Sequence, residues 1–428
     1  MVARDKQSRG LFSVALLIVI ALLALPMAAQ DNVELTLSIG ARGFGDAAPI
    51  LIEACENEVG GISVEWERIS DVPNESRSIY VTNFTARNSK PDIIAVDVIW
   101  PGDFAARGWV APIEDYFGED ELAEYLPGFL AAAQVGGSTY AIPLYIDGIH
   151  LFYRADLLEK YGFDAPSTWE ALISQAETIV AGEGNPDLAG FISMWAKIEG
   201  LFMNWLAFFQ GAGGSFFDAD GNLGVNSEAG VKSLSTMVGM LGSGVAPESI
   251  LTFRPNDARL LFQQERAVFL MVQDFVLATL TADDSPVKDA VQFTRVPYFE
   301  GNDMTDTTVI GGFLLAVNKH SENVGAAADF IKCFTSYESQ VQASLIQGKV
   351  PTRPAVYDDE RIVEDAPGVA ALGANFVYAF ARPSAQTGAA YPEISEIMQT
   401  EISAALLGEK TPEQALADAE AQILAIMP

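Results

Sequence analysis

The feature that most constrains the fold is a strand, glycine-rich turn, helix and second strand near the start of the chain. Residues 33–39 (VELTLSI) alternate apolar and polar side chains, which is typical of a half-buried strand. The turn at residues 40–45 (GARGFG) precedes a predicted helix over residues 49–60, and residues 62–66 form the next strand. A strand–helix–strand unit places its two strands parallel in one sheet. Further strands are predicted at residues 140–143, 151–154, 291–297 and 308–317, and further helices are predicted to begin at Thr168 and Thr411. The sequence therefore predicts an α/β fold.

Length and composition indicate more than one domain. The chain has 428 residues, of which 50% are apolar and 19% are charged. A chain of this length exceeds what one compact core usually supports, and its composition is opposite to that of a disordered protein. The net charge of -32 repels phosphate backbones and anionic membrane surfaces. We therefore expect no nucleic-acid partner, and we expect the acidity to keep the protein soluble.

The N-terminal residues have the order of a secretory signal peptide. Arg4, Lys6 and Arg9 precede an uncharged apolar run at residues 11–25, and small residues ending at Ala29 follow. A transmembrane anchor is the competing interpretation, but the run is shorter than the roughly 20 residues that span a bilayer. We predict a signal peptide at residues 1–29 that is cleaved, leaving a soluble protein outside the cytoplasm. No cysteine is near the cleavage site, so lipid attachment is not predicted there.

The chain has only two cysteines, Cys55 and Cys333, which fall in predicted helices far apart in sequence. An exported protein can form a disulfide between them. Two buried free thiols would fit the sequence equally well. The sequence leaves both possibilities open, and two cysteines are too few to predict a zinc site.

Aromatic and charged residues cluster at the ends of predicted strands. Residues 90–100 (KPDIIAVDVIW) form a predicted buried strand with Asp97 and Trp100 at its carboxyl end, where open α/β sheets bind ligands. Carbohydrates have apolar ring faces and hydroxyl-rich edges, so they bind to aromatic rings, carboxylates and Arg side chains. The candidates of these types are Asp97, Trp100, Tyr145, Asp147, Phe313 and Arg382. Together they predict a carbohydrate site.

No motif for catalysis, metal binding or cofactor binding is present. The glycine turn lacks the Lys-Ser/Thr ending of a P-loop, and no Gly-x-Ser-x-Gly or His-Glu-x-x-His sequence occurs. His150 is more typical of a structural histidine than of a base. Residues 218–221 (DADG) resemble the start of a calcium loop, but Ala229 stands at the position that needs Glu. We predict no enzyme, cofactor or metal, although carboxylate pairs at glycosidase spacing cannot be read from a sequence.

Several short motifs, in a shared order along the chain, resemble one protein family. They are residues 91–93 (PDI), 97–100 (DVIW), 104–109 (FAARGW), 140–143 (YAIP), 151–154 (LFYR), 168–170 (TWE), 199–201 (EGL), 311–313 (GGF) and 382–383 (RP) with Tyr391. In this order the chain resembles the family 1 extracellular solute-binding proteins, relatives of maltose- and trehalose/maltose-binding proteins that serve ABC importers.

The resemblance implies the two-lobe, type II-like periplasmic-binding-protein fold, with doubly wound sheets joined by a hinge. Lobe one would comprise residues 31–142 and 290–350, and lobe two residues 143–289 and 351–428. Ligand would favour the closed arrangement by touching both lobes, and the closed protein would dock on ABC permease membrane subunits. We expect a monomer.

The resemblance also implies roles for individual residues. Asp97 and Asp147 would accept hydrogen bonds from sugar hydroxyls, Tyr145 and Phe313 would flank the rings, and Arg382 would donate from the second lobe. The complete predicted site is Phe44, Gly45, Asp97, Trp100, Tyr145, Asp147, Phe275, Gly312, Phe313 and Arg382. The family often has Trp at the position of Phe313 and a pair of aromatic residues near Phe275. We therefore predict a mono- to trisaccharide as the ligand without specifying which sugar.

Three alternatives remain open from the sequence. The first is a binding protein of the same fold for a non-sugar, such as a polyamine, an iron chelate or glycerol phosphate. The second is an extracellular glycan hydrolase. The third is a sensor subunit that reports ligand to a membrane receptor. A phosphate ligand would need clustered cations, and only Arg382 and Arg42 are candidates.

Overall fold

The computed structural model describes Met1 and residues 32–40, 44–70, 73–218, 220–302, 307–376 and 379–427. Its strands are β1 (Val33–Gly40), β2 (Ile62–Ile69), β3 (Ile93–Asp97), β4 (Gln134–Val135), β5 (Ser138–Thr139), β6 (Ile142–Arg154), β7 (Ala189–Ser193), β8 (Ala267–Gln273), β9 (Val291–Thr294), β10 (Thr308–Val317) and β11 (Ala379–Phe380). The predicted signal peptide, apart from Met1, lies outside the described residues. In the described part of the chain, no helix has the length and apolar character needed to cross a membrane.

Helices surround the strands. They are α1 (Ala47–Val59), α2 (Pro73–Thr85), α3 (Pro101–Ala106), α4 (Glu119–Leu122), α5 (Pro127–Ala131), α6 (Ala155–Tyr161), α7 (Trp169–Glu183), α8 (Glu199–Gly211), α9 (Glu228–Ser243), α10 (Pro255–Gln263), α11 (Leu277–Leu280), α12 (Val324–Phe334), α13 (Tyr337–Gln347), α14 (Glu360–Asp365), α15 (Pro367–Phe376), α16 (Ser384–Thr387), α17 (Tyr391–Leu406) and α18 (Pro412–Ile426). Short 3-10 turns include Asp274–Val276 and Pro354–Asp358. This content confirms the α/β prediction.

The strand order is β2-β1-β3-β10-β6-β8-β7, with β9 also paired to β6 and β11 to β10. Strands β1, β2 and β3 are parallel to one another, as are β7 and β8. Strand β10 is antiparallel to both β3 and β6. Strand β6 is in turn antiparallel to β8 and β9. Short β4 and β5 form a separate hairpin.

Strand β6 connects two groups of strands because it changes partner in its middle. Residues 142–148 pair with β10, and residues 149–154 pair with β8 and β9. We call β1, β2, β3, β10 and residues 142–148 the first strand group. We call β7, β8, β9 and residues 149–154 the second strand group.

The continuity of β6 differs from the two short strands expected at residues 140–143 and 151–154. Asp147 and Gly148 between them have the composition of a turn, but the structure keeps Gly148 in the strand. A Cβ atom on Gly148 would lie 2.8 Å from both Phe376 and Thr308. Tight packing on this side therefore requires glycine, and the residue marks a close approach instead of a turn.

Strand β9 begins just after the predicted boundary between the lobes at residue 290. It pairs with Leu151–Arg154 in the second strand group. Val291, Val296 and Phe299 belong to the same apolar core as β8. The chain returns to the first strand group along β10, which pairs with β3 and with residues 142–148 of β6.

Sequence patterns account for the elements that hold the site. In β1, Leu35, Leu37 and Ile39 alternate inward and are 0–1% exposed. All five residues of β3 are buried, as expected for a central strand covered on both faces. Helix α7 begins where predicted, because the hydroxyl of Thr168 accepts a hydrogen bond from the Ala171 N–H at 3.2 Å.

Cys55 in α1 and Cys333 in α12 form a disulfide, with their Cα atoms 5.7 Å apart. Of the two possibilities that the sequence left open, the structure has the disulfide. Cys55 is fully buried, and the bond joins two helices that pack beside β1.

Candidate functional site

Three adjacent strands bring four predicted site residues together. Phe313 of β10 lies opposite Asp97 of β3 on one side and opposite Tyr145 of β6 on the other. Asp147, two residues along β6, lies opposite Gly311. Residues 145 and 147 point to the same face of the strand, as alternate residues do. The antiparallel registers thus place these residues in one row, although Asp97 and Phe313 are 216 positions apart in the sequence.

Two glycines of β10 make space for this row. Gly312 has φ +119, and a Cβ atom there would lie 2.4 Å from the Tyr145 carbonyl oxygen. A Cβ atom on Gly311 would lie 2.0 Å from Oδ1 of Asp147. The register of β10 against β6 shifts between Phe313 and Leu314, which forms a bulge. Any side chain at Gly311 or Gly312 would displace Asp147 or the β6 backbone, so glycine is required at both positions.

The aromatic residues form a continuous set. The rings of Tyr145 and Phe313 lie 5.6 Å apart with an interplanar angle of 29°. Trp100 contacts Phe313 edge-on at 6.4 Å, and Phe44 lies 5.8 Å from Tyr145. Trp100 and Phe44 are only 3% and 1% exposed. These two rings present no open face, so they support Phe313 and Tyr145 from behind.

An ion-pair network lies beside the aromatic set. Arg382 donates from Nη2 to Oδ1 of Asp97 at 3.2 Å and from Nη1 to Oε1 of Glu199 at 2.9 Å. The Tyr391 hydroxyl donates to the same Glu199 oxygen, and Ser395 donates to the other. Asp97 ends β3 in the first strand group, whereas Glu199 and Tyr391 begin helices α8 and α17. Arg382 therefore links Asp97 to Glu199 of α8, and Glu199 in turn accepts hydrogen bonds from two residues of α17.

Burial dominates the electrostatics of this network. Burial raises the pKa of the Asp97 carboxyl, and the positive charge of Arg382 acts against that rise. Burial also opposes the charged form of Arg382, but Tyr391, Asp97 and Glu199 shift its pKa upward overall. Arg382 is 5% exposed and Asp97 8%. The guanidinium is thus a permanently charged donor in a site with little water.

Two buried polar atoms in this region have no partner within the described residues: Nε of Arg382 and Oε1 of Gln273. Gln273 ends β8, and its amide nitrogen lies 4.0 Å from the sulfur of Met203 in α8. A buried donor and a buried acceptor without partners each carry a desolvation cost that a ligand can remove. Hydroxyl groups can satisfy both, because each hydroxyl donates and accepts.

Asp147 lies next to a second buried carboxyl that the sequence reasoning missed. Asp274, which begins the turn after β8, is 3% exposed and accepts a hydrogen bond from the Gly148 N–H at 3.0 Å. The ammonium of Lys349 lies 4.5 Å from the centre of the Tyr145 ring. The predicted residue Phe275 follows Asp274 and is half-buried, and Gly45 is half-buried in the turn before α1.

Glu199 was the other residue that the sequence reasoning did not assign to the site. It occurs in the EGL motif at residues 199–201, but the sequence predicted no role for it. Glu199 is followed by the apolar segment GLFMNWLAFF, so it is the only charged residue within α8, a helix that is otherwise almost wholly buried. A lone charge at the start of such a helix was the available signal, because a buried charge needs a partner.

The family model of the bacterial extracellular solute-binding proteins matches residues 44–341, which include the whole row of strand-borne residues. The chain belongs to this family. A probable ABC transporter-binding protein of Deinococcus radiodurans is 29% identical over 368 residues, covering 84% of this chain and 86% of the relative. A probable amino-acid ABC transporter periplasmic-binding protein of Sinorhizobium fredii is 25% identical and covers 86% and 84% of the two chains.

Among solved structures, maltose-bound MalE3 of T. maritima is similar with a TM-score of 0.82 and 33% identity. The match covers 92% of this binding protein and all of that chain. These similarities confirm the predicted family, the two-lobe periplasmic-binding-protein fold and a function as the solute-binding protein of an ABC transporter. The assignment of individual ligand contacts stays a prediction.

Proposed function

We propose that this binding protein captures a mono- to trisaccharide, with maltose as the first candidate, and delivers it to ABC permease membrane subunits. The observation that carries the proposal is the row formed by Asp97, Phe313, Tyr145 and Asp147 across three strands. The similar MalE3 structure is described as maltose-bound, which supports a sugar of this size. The predicted export and monomeric state remain part of this proposal, as does the absence of a nucleic-acid partner.

Each group in the row has a chemistry that suits a sugar. The rings of Phe313 and Tyr145 would pack against the apolar face of a pyranose. Asp97 and Asp147 would accept hydrogen bonds from pairs of hydroxyls, and charged acceptors make stronger bonds than neutral ones. Nε of Arg382 and Oε1 of Gln273, unpartnered in the described structure, would bond to further hydroxyls.

We expect the two strand groups to close on the ligand, because the proposed ligand contacts lie on both of them. Asp97 belongs to the first strand group, and Gln273 to the second. A sugar that bonds to both would favour the arrangement in which the two groups are close together, because a ligand shifts a conformational equilibrium by its differential affinity. The closed form would then be the one that the permease recognises.

A ligand screen tests the proposal. Mature protein would be mixed with glucose, maltose, maltotriose, single amino acids, spermidine and glycerol 3-phosphate, and melting temperature would be measured against ligand concentration. We expect a rise with one or more sugars that grows with concentration, as mass action requires. A rise with an amino acid, polyamine or phosphate and with no sugar would keep the family and refute the sugar. Chromatography of the incubated sugar would reveal cleavage if the protein were a hydrolase.

Asp147→Ala is expected to weaken binding of the sugar found in that screen by at least about 100-fold, because it removes a charged hydrogen-bond acceptor from a desolvated site. Isothermal titration calorimetry would measure the affinity, and circular dichroism would confirm that the variant folds. Asp187→Ala removes an exposed carboxylate and is the matched control. Unchanged affinity in Asp147→Ala would remove this residue from the proposed site.

A further inference from the structure

Asp274 lies where β6 changes partner. Gly148 is the last residue of β6 that pairs with β10, and Ile149 is the first that pairs with β8. At this point the N–H of Gly148 donates to Oδ2 of Asp274 at 3.0 Å. The side chain thus connects the turn after β8 to the segment of β6 that links the two strand groups. Any change in the angle between these groups must move the backbone beside this carboxyl.

The groups that face Asp274 offer little to stabilise a negative charge. From β6 these are Asp147, the neighbour of Gly148, and His150, whose Nδ1 lies 3.8 Å from Oδ2. Burial lowers the pKa of His150 to about 4, and its Nδ1–H donates to the Gly148 carbonyl at 3.0 Å, so this ring is neutral at pH 7. Tyr357, from the 3-10 turn Pro354–Asp358, is the third group. Lys349 is the cation that acts on Asp274.

Burial is the largest cause that raises the pKa of Asp274 well above the usual range of a carboxyl, and the charge of Asp147 is the next. The Gly148 N–H and Lys349 act in the opposite direction, but they are the smaller effects. Burial and the neighbouring charge of Asp147 therefore both favour the protonated form of Asp274.

We propose that Asp274 is a positioning residue that carries a proton in the ligand-bound form, so that sugar binding takes up a proton and weakens as pH rises. The inference rests on the proposed sugar-binding role of Asp147. Sugar covers Asp147, whose carboxylate would accept hydrogen bonds from hydroxyls. Covering it also removes water near Asp274, so ionisation of Asp274 costs more in the bound form than in the free form. Proton linkage then requires an affinity that depends on pH.

The test is titration calorimetry with maltose, or with the sugar that the screen identifies, from pH 5 to 9. Each pH would be measured in two buffers of different ionisation enthalpy, which reports proton uptake directly. We expect wild-type protein to take up a fraction of a proton, and its Kd to rise by up to roughly tenfold per pH unit within the linked range. Asp274→Asn should bind with a nearly constant Kd and no proton uptake, because asparagine keeps the acceptor for Gly148 N–H without a titrating group.

The matched control is Asp283→Asn, an exposed aspartate paired with Lys288 at 3.3 Å, which should keep the wild-type pH profile. An Asp274→Asn variant that retains the wild-type pH dependence would overturn the proposal. Equal enthalpies in both buffers for wild-type protein would do so as well.

A measurement without ligand separates this inference from the proposed function. A carboxyl whose folded-state pKa is raised binds more protons when folded, so its contribution to stability falls as pH rises from about 4 through the folded pKa. We expect urea unfolding to show this fall in wild-type protein and a smaller one in Asp274→Asn. If that variant does not fold, Asp147→Asn is the second test, because removal of the neighbouring charge should shift the fall to lower pH. A pH profile identical to wild type in the folded variant would refute a proton on Asp274 whichever ligand the protein binds.

Discussion

Arg382→Ala is expected to weaken sugar binding by more than about 100-fold and to lower the free energy of unfolding by about 3–5 kcal/mol. The substitution leaves Asp97 buried without its cation, and Glu199 loses its bond at 2.9 Å. Removing one partner of a buried ion pair costs more than the pair contributes, because the remaining charge stays desolvated. Binding would suffer separately, because the unpartnered Nε that is expected to donate to a hydroxyl disappears with the side chain.

Arg361→Ala is the matched control for this prediction. Arg361 also pairs with two carboxylates, Glu338 at 2.8 Å and Asp359 at 2.8 Å, but its side chain is 42% exposed. Exposed pairs of this kind contribute about 0–1 kcal/mol, so the control should retain both stability and affinity. Urea unfolding and titration calorimetry would be run on both variants. Equal losses in the two variants would show that burial of the Arg382 network has no special role.

Arg382→Lys separates charge from geometry at the same position. Lysine keeps the positive charge but not the planar fork that reaches two carboxylates at once. We expect this variant to recover part of the lost stability and little of the lost affinity. Full recovery of affinity would mean that the site needs a charge here and no directed hydrogen bonds.

Periodicity and capping residues were sufficient to locate many elements. Strand β10 has the bounds predicted for it, Thr308–Val317, because its apolar run ends in polar residues on both sides. Helix α18 begins after Thr411, whose hydroxyl accepts from the Gln414 N–H, as Thr-Pro-Glu at this point predicted. These signals depend only on residues close together in the chain, so one sequence is sufficient to detect them.

The pairing of the strands was harder to predict from the sequence than their positions. Residues 144–150 of β6 contain Asp147 and Gly148, which locally favour a turn, and pairing with β10 and β8 overrides that preference. Strand β9 was predicted at the correct place, but its local sequence does not indicate that it pairs with residues 151–154. Which strand lies beside which depends on the packing of the whole chain, and no short window contains that information.

Some site residues could likewise be predicted from local sequence, and others could not. Asp97, Tyr145, Asp147 and Phe313 lie in or at the ends of strands, so the rule that ligands bind at strand ends was enough to nominate them. Glu199 is recognised as a site residue by its contact with Arg382, which is 183 positions away. Asp274 is recognised by its contact with Gly148, which is 126 positions away. Their local sequence shows only a carboxylate in apolar surroundings. Such a residue needs a partner or a proton, but the sequence does not say which.

Loss of the Cys55–Cys333 disulfide is expected to lower the free energy of unfolding by about 4–5 kcal/mol, because the bond closes a loop with a sequence separation of 278 residues. A cross-link over so long a loop restricts the unfolded chain strongly, whereas the folded state keeps its contacts. Cys55 and Cys333 lie in the core around β1, and neither is among the proposed ligand-contacting residues. We therefore expect the Cys55→Ala/Cys333→Ala variant to bind sugar with wild-type affinity at temperatures where it is folded.

Urea unfolding of wild-type protein with and without a reducing agent measures the effect, and the double variant controls for it. The reducing agent should shift the wild-type transition toward that of the double variant and leave the double variant unchanged. Thiol titration of unreduced, unfolded wild-type protein should detect no free thiol. Detection of both cysteines as thiols would contradict the disulfide. A double variant as stable as oxidised wild type would instead show that packing of α1 against α12 is sufficient, since the cross-link would then add nothing to the difference between the folded and unfolded chains.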